Sequence, residues 1–181
     1  MFRTKLFLLL QACSKSDSIS CVYVPVASKA NPYPELTQFS DCGSVHNNVV
    51  SLNSIHLSNI WFEDGLSEIR IHKGIYYVNE SGKMVQMHMY DNGADSFKEG
   101  LSRAIKNNKF GFINKRLELV IPYKYDFSFP FENGRSLVCN GCVVKPNGEH
   151  KEVVDGEWGY IDKKGNVIVD ISLSKDNALK R

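Results

Sequence analysis

Cys139-Asn140-Gly141-Cys142, with His150 a little further on, is the stretch whose residue types could most readily do chemistry. A C-x-x-C pair can act as a redox dithiol, as half of a metal site, or as a disulfide that pins a loop. Redox catalysis needs the first thiol at a helix N-terminus, where its pKa is depressed. Here Asn140-Gly141 marks a tight turn between strands instead. Zinc needs four ligands, or three and a water, and Cys139, Cys142 and His150 make up only three. The disulfide is the expected state, and the metal site is the alternative. A second soft cluster, Met84, Met87 and Met89 around His88, has the thioether and imidazole chemistry of a copper site. Its residues fall on ordinary repeat positions, so register accounts for them without a metal. The sequence implies no cofactor.

Nucleophilic catalysis finds little footing. His46, His56, His72, His88 and His150 are scattered, without a motif-linked serine or cysteine partner. Glu63, Asp64, Glu99, Asp126, Glu132 and Asp162 sit in turns, where solvated turn chemistry is expected. A hydrolase would require two of these carboxylates to converge in a cleft. No phosphate loop or dinucleotide fingerprint is present. The formal charge of +2, with lysines scattered through turns and tails, gives no reason to expect nucleic acid.

The elements that must position these residues are short aromatic and β-branched runs broken by Gly, Asn, Asp and Pro, which is the grammar of strands and turns. Only Tyr33–Phe39 hints at a helix. Ile75-Tyr76-Tyr77-Val78-Asn79 recurs 35 residues later as Phe110-Gly111-Phe112-Ile113-Asn114, and 48 after that as Trp158-Gly159-Tyr160-Ile161-Asp162. Phe62-Glu63-Asp64-Gly65-Leu66 recurs as Phe97-Lys98-Glu99-Gly100-Leu101 and as Phe131-Glu132-Asn133-Gly134-Arg135, at spacings of 35 and 34. A third landmark pairs Tyr90-Asp91 with Tyr125-Asp126. A fixed period of this length marks a repeat architecture.

These residues resemble the WG-repeat family, whose unit runs Trp-Gly-Tyr/Phe-Ile-Asp, a Lys/Gly turn, Val-Ile-Pro, Tyr-Asp and Phe-x-Glu-Gly-Leu. The resemblance covers about residues 59–171, and only the last copy keeps Trp158-Gly159. It implies an all-β antiparallel meander of about three repeats of three short strands each, as an open sheet, a barrel or a solenoid. Tyr77, Phe110, Phe112, Trp158 and Tyr160 are the aromatics expected to lock one unit onto the next. Asn79-Glu80-Ser81-Gly82 and Asp162-Lys163-Lys164-Gly165 suit a type I turn closed by a left-handed glycine. The middle unit has Leu117 at that position, so its turn is expected to differ. Pro122 should lie on a sheet edge.

Outside the repeats, Arg3 and Lys5 precede the apolar run Leu6–Leu10 and then Leu10-Gln11-Ala12-Cys13. That order resembles a bacterial lipoprotein signal, cleaved before a lipidated Cys13 and sorted to the outer membrane. Cleavage would remove two of the 22 basic residues and leave 20 against 20 acidic ones. Four cysteines remain: Cys21, Cys42, Cys139 and Cys142. The simplest pairing by segment is Cys21–Cys42 with Cys139–Cys142, and the two other pairings stay open.

The expected organisation is a signal at 1–12, then a cysteine-containing segment at 13–58. Within that segment Val49-Val50, with Asn47-Asn48 as turn, forms a faint extra repeat. Repeats at 59–95, 96–130 and 131–171 follow, the last carrying an inserted hairpin at about 139–155, and a tail ends the chain at 172–181. The functional expectation is a non-enzymatic, exported binding or scaffolding protein of the cell envelope. Its partner would be an envelope protein, peptide or glycan, without nucleic acid, and its membrane contact only a lipid anchor. A soluble periplasmic or secreted protein is the alternative location.

Overall fold

The computed structural model describes residues 18–46, 49–72, 74–148 and 150–181. Cys13 and the whole of the signal-like segment lie outside the described residues, as does the expected Asn47-Asn48 turn.

The chain is built almost wholly of short antiparallel strands. An N-terminal block comprises β1 (Ser18–Tyr23), β2 (Thr37–His46), β3 (Val49–Leu52) and α1 (Ser54–Asn59). The first repeat unit follows as β4 (Leu66–Ile71), β5 (Gly74–Asn79) and β6 (Met84–Gln86), then the small hairpin β7 (Met89–Tyr90) and β8 (Gly93–Ala94). The second unit is β9 (Leu101–Lys106), β10 (Lys109–Asn114) and β11 (Leu119–Tyr125), with the short β12 (Phe127–Ser128) after it. The third is β13 (Arg135–Asn140), β16 (Glu157–Asp162) and β17 (Val167–Leu173), interrupted by the hairpin β14 (Val143–Asn147) and β15 (His150–Val154). α2 (Lys175–Leu179) ends the fold. No helix among the described residues is long and apolar enough to cross a membrane.

The N-terminal block and first unit share a six-stranded sheet ordered β3-β2-β1-β4-β5-β6, while the later units form sheets β11-β10-β9 and β12-β13-β16-β17. Pro122 is in the edge strand β11, where its missing N–H breaks no ladder. Tyr33–Phe39, the one stretch that hints at a helix, forms none, and Thr37 already opens β2.

Packing follows from the two-residue period of the central strands, which sends alternate side chains to opposite faces. One face carries Val78, Ile113 or Ile161, and the other carries the aromatic positions. Ile113 packs with Ile75 and Tyr77 of the preceding unit. Ile161 packs likewise with Phe110 and Phe112. At the ends, Val78 meets Ile19, Cys21 and Tyr23 of the N-terminal block, and Trp158 and Tyr160 meet Ala178 of α2. No unit could bury both faces alone, so each end of the stack needs its cap.

Rings reinforce the stacking. Tyr77 stacks on Phe97 at 5.3 Å, and Phe112 meets Phe131 edge-on at 4.8 Å. Tyr160, in the last unit, is covered instead by the Arg135 guanidinium at 4.3 Å. The junction of the first two units also holds a buried ion pair. Arg103 donates from its backbone N and Nε to Asp95 Oδ2 and from Nη2 to Asp95 Oδ1, while Nη1 donates to the Ser128 carbonyl. Both side chains are almost wholly buried.

The Leu117 turn does not differ from its counterparts. Leu117 takes φ 56°, alongside 81° for Gly82 and 85° for Gly165. All three turns close the same hydrogen bonds, including Leu117 N–H to the Asn114 carbonyl at 2.9 Å and Arg116 N–H to Asn114 Oδ1. A left-handed leucine costs about 1–2 kcal/mol. Its side chain offsets that cost, being buried in the core between the first and second units.

Candidate functional site

The repeat glycine explains how the site arises. A methyl group at Gly111 would lie 2.6 Å from the Ile121 carbonyl oxygen, and one at Gly159 would lie 2.4 Å from that of Val169. At both places the returning strand bulges inward against the bare Cα. Two steps along β10, from Phe112 to Phe110, face four along β11, from Ile121 to Tyr125. The same slip recurs between β16 and β17. The first unit has Tyr76 at the equivalent position, and β5 pairs with β6 without any shift. A Cβ there excludes the bulge, so the returning strand reaches its end in fewer residues. Met87, whose N–H donates to the Ile75 carbonyl at 2.9 Å, stands where Tyr125 stands in the second unit.

This corrects the third sequence landmark. Tyr125 is buried in β11, whereas Tyr90 is 66% exposed and belongs to a hairpin. The residues not used by a bulge form β7 and β8 around Asp91 and Asn92, both at positive φ. That hairpin is fixed to the first unit by Ala94 N–H donating to Glu68 Oε2 at 2.8 Å, and by the Arg70 guanidinium donating to the Asn92 carbonyl.

Between the hairpin, β4 and the segment before it lies an open groove of about 690 Å³. Trp61 and Tyr90, both more than half exposed, present rings to it, with Tyr77 and Phe97 deeper. Polar groups reach it from Glu63, Asp64, Glu68, Arg70, Asp91 and Lys115. Arg70 donates from Nε and Nη2 to Glu68 Oε1, each at 3.1 Å, and Lys115 pairs with Asp64 at 3.4 Å. Tyr77 donates its hydroxyl to the Asp95 carbonyl at 3.3 Å. Burial first, then the Glu68 and Asp95 charges, push the Tyr77 phenol up to about 12, so it stays neutral at physiological pH. Rigid rings with a few anchored polar groups in a concave surface are the ordinary makings of a binding site.

Of the residues singled out from sequence, Tyr77, Glu63 and Asp64 line the groove, whereas the cysteine, histidine and methionine candidates lie elsewhere. Cys139 and Cys142 are bonded to each other, as are Cys21 and Cys42. His150 is exposed at the far end of the β14–β15 ladder, opposite Asn147, whereas Cys142 precedes its near end. Five residue pairs, about 15 Å of strand, separate them. The turn of that hairpin follows Asn147; of its residues, Glu149 lies outside the described ones. The methionines diverge as well. Met84 packs toward the N-terminal block, Met87 is buried between the first two units, and Met89 is half exposed. His88 lies against Phe110 at 5.1 Å. Burial, aided by the Arg103 charge, lowers its pKa to about 4.

Sequence reasoning missed one cluster. Cys21, Cys42 and His56 bring their potential ligand atoms within 4.8 Å of one another. The two sulfurs are already joined, and the His56 Nδ1 shares a 2.9 Å hydrogen bond with Tyr23 Oη. It also missed Trp61 and Tyr90 as a pair. The available signal was the departure of Ile75-Tyr76 from Trp-Gly, together with an Asp-Asn turn where the other unit continues a strand.

Fold and groove together define a capped stack of β-repeats with a ligand-sized surface on its first unit. The profile described as "WG containing repeat" matches residues 77–110, 110–141 and 158–172. The chain belongs to the WG-repeat family. No curated protein and no solved structure matches it.

Proposed function

We propose that this chain is a non-enzymatic binding protein, exported to the bacterial cell envelope and anchored there through a lipid on Cys13. The groove carries the reading: two exposed rings, Trp61 and Tyr90, stand over anchored polar groups on a rigid frame. Large rigid rings bring contact area at little entropic cost, which is why Trp and Tyr gather at interfaces. Export is supported by the Leu10-Gln11-Ala12-Cys13 order and by two disulfides, which persist in oxidising compartments.

The test is an NMR titration that follows the two indole N–H signals. Trp61 is half exposed and Trp158 is buried, so a ligand in the groove should move the first signal and leave the second. Panels of envelope-derived peptides and glycans should contain ligands that move it, and a Trp61→Ala/Tyr90→Ala variant should bind none of them. A panel in which every ligand binds wild type and variant equally would refute the groove. Intact-mass measurement of protein from its host tests the anchor, and an unprocessed N-terminus would refute it.

A further inference from the structure

We propose that the groove takes a cationic peptide segment, holding lysine or arginine side chains against Trp61–Glu63 and Tyr90–Asp91. The inference rests on the groove being the binding site and adds the chemistry of its occupant.

The argument is one of charge. Four carboxylates line the groove, Glu63, Asp64, Glu68 and Asp91, against two cations, Arg70 and Lys115. Both cations are committed: Arg70 to Glu68 and the Asn92 carbonyl, Lys115 to Asp64. Glu63 and Asp91 have no ion-pair partner among the described residues. An anionic ligand would meet repulsion without a free cation to answer it. A neutral ligand, such as an uncharged glycan, could use the rings and donate hydroxyl hydrogen bonds to Glu63 and Asp91, but it would leave their charge unanswered. A cation adds the charge-assisted contact that a hydroxyl does not.

The placement of the two free carboxylates agrees. Each stands beside one of the two exposed rings in sequence, Glu63 two residues after Trp61 and Asp91 directly after Tyr90. A lysine or arginine can lay its methylene stem on a ring and bring its charged head to the neighbouring carboxylate. Tyr90 already accepts such a contact within the fold, since the Arg103 guanidinium lies 5.8 Å from its ring centre. Two ring–carboxylate pairs on separate segments suit two basic side chains on one chain, and a volume of about 690 Å³ lies in the range of ligand pockets.

The experiment uses three probes on the oxidised protein and reads the Trp61 indole signal: acetylated tetralysine amide, acetylated tetraglutamate amide and the tetrasaccharide of N-acetylglucosamine. Tetralysine should move the Trp61 signal, and its binding should weaken as salt rises from about 50 to about 300 mM. Glu63→Gln and Asp91→Asn should each weaken it by about 1.4- to 5-fold, the span of an exposed ion pair of about 0.2–1 kcal/mol. Asn at position 91 keeps the left-handed backbone accessible, so the hairpin survives that change. If the tetrasaccharide or tetraglutamate moves Trp61 and tetralysine does not, the cationic inference is overturned while the groove stands. If tetralysine binds wild type and both variants equally, the assigned carboxylates are wrong and the inference falls. If no probe moves Trp61, the inference falls together with this choice of groove.

Discussion

The first repeat unit and the two that follow make different use of the same plan. In the second and third, Gly111 and Gly159 admit a bulged return strand, and the unit is consumed in packing against its neighbours. In the first, Tyr76 forbids the bulge, the return strand runs straight, and the chain left over becomes the hairpin that walls the groove. The unit furthest from the family pattern is therefore the one that carries the candidate site. A regular array buries its distinctive residues, and a departure from it is what exposes a ring such as Tyr90.

The largest test of that contrast is at the junction that fixes the hairpin's far side. Arg103→Met should destabilise the protein by about 3–5 kcal/mol, because Asp95 stays buried without its partner. Asp95→Leu/Arg103→Met should recover most of that loss. Urea unfolding measures both, and a single-variant loss below about 1 kcal/mol would mean that the pair does not hold the junction.

Next come the glycines. Gly111→Ala and Gly159→Ala should each cost about 1–3 kcal/mol, since a methyl group must push back a backbone carbonyl. Tyr76→Phe, at the same repeat position, should stay within about 0.5 kcal/mol of wild type. Equal effects at all three positions would erase the distinction between bulged and straight units.

Leu117→Gly should cost about 2 kcal/mol net. The lost core contact, about 2–5 kcal/mol for removing a buried leucine, outweighs the left-handed strain it relieves. A stabilised Leu117→Gly variant would show that the side chain contributes less than its burial implies.

A further effect concerns pH. His88 has a folded-state pKa lowered to about 4, by burial first and then by Arg103, against an ordinary 6.5. The unfolded chain therefore binds its proton first as pH falls. Stability should drop between about pH 6.5 and about pH 4 and be unaffected by this group above that window. His88→Gln should flatten that part of the stability profile, as read by urea midpoints across the range.

Much of the architecture was legible in the residues. The 35-residue spacing, the Phe-x-x-Gly corners and the Trp-Gly motif are local signals, since turns and strand alternation depend on near neighbours. Each Phe-x-x-Gly corner closes a two-residue turn with both central residues at positive φ, as at Asn133 and Gly134. The candidate site was less legible. Tyr90-Asp91 matched Tyr125-Asp126 by letter, yet one pair lies on an exposed hairpin and the other begins in a buried strand. What separates them is the pairing of β5 with β6, a contact that letter matching does not register. Leu117 misled for a related reason: its turn strain is local, whereas the burial that offsets it comes from the preceding unit.

The amino-acid sequence alone determined that this chain tiles short antiparallel strands, where the Phe-x-x-Gly corners and the turns after the aromatic strands fall, and which aromatics share a strand face. Those properties follow from backbone geometry and side-chain alternation within each unit. Tertiary structure decided the rest: which face each unit buries against the next, where the bulges fall, and that Trp61 and Tyr90 share one groove. Residues so far apart in the chain are brought to one surface only when β4, β5 and the β7–β8 hairpin have packed, and no local preference contains that contact.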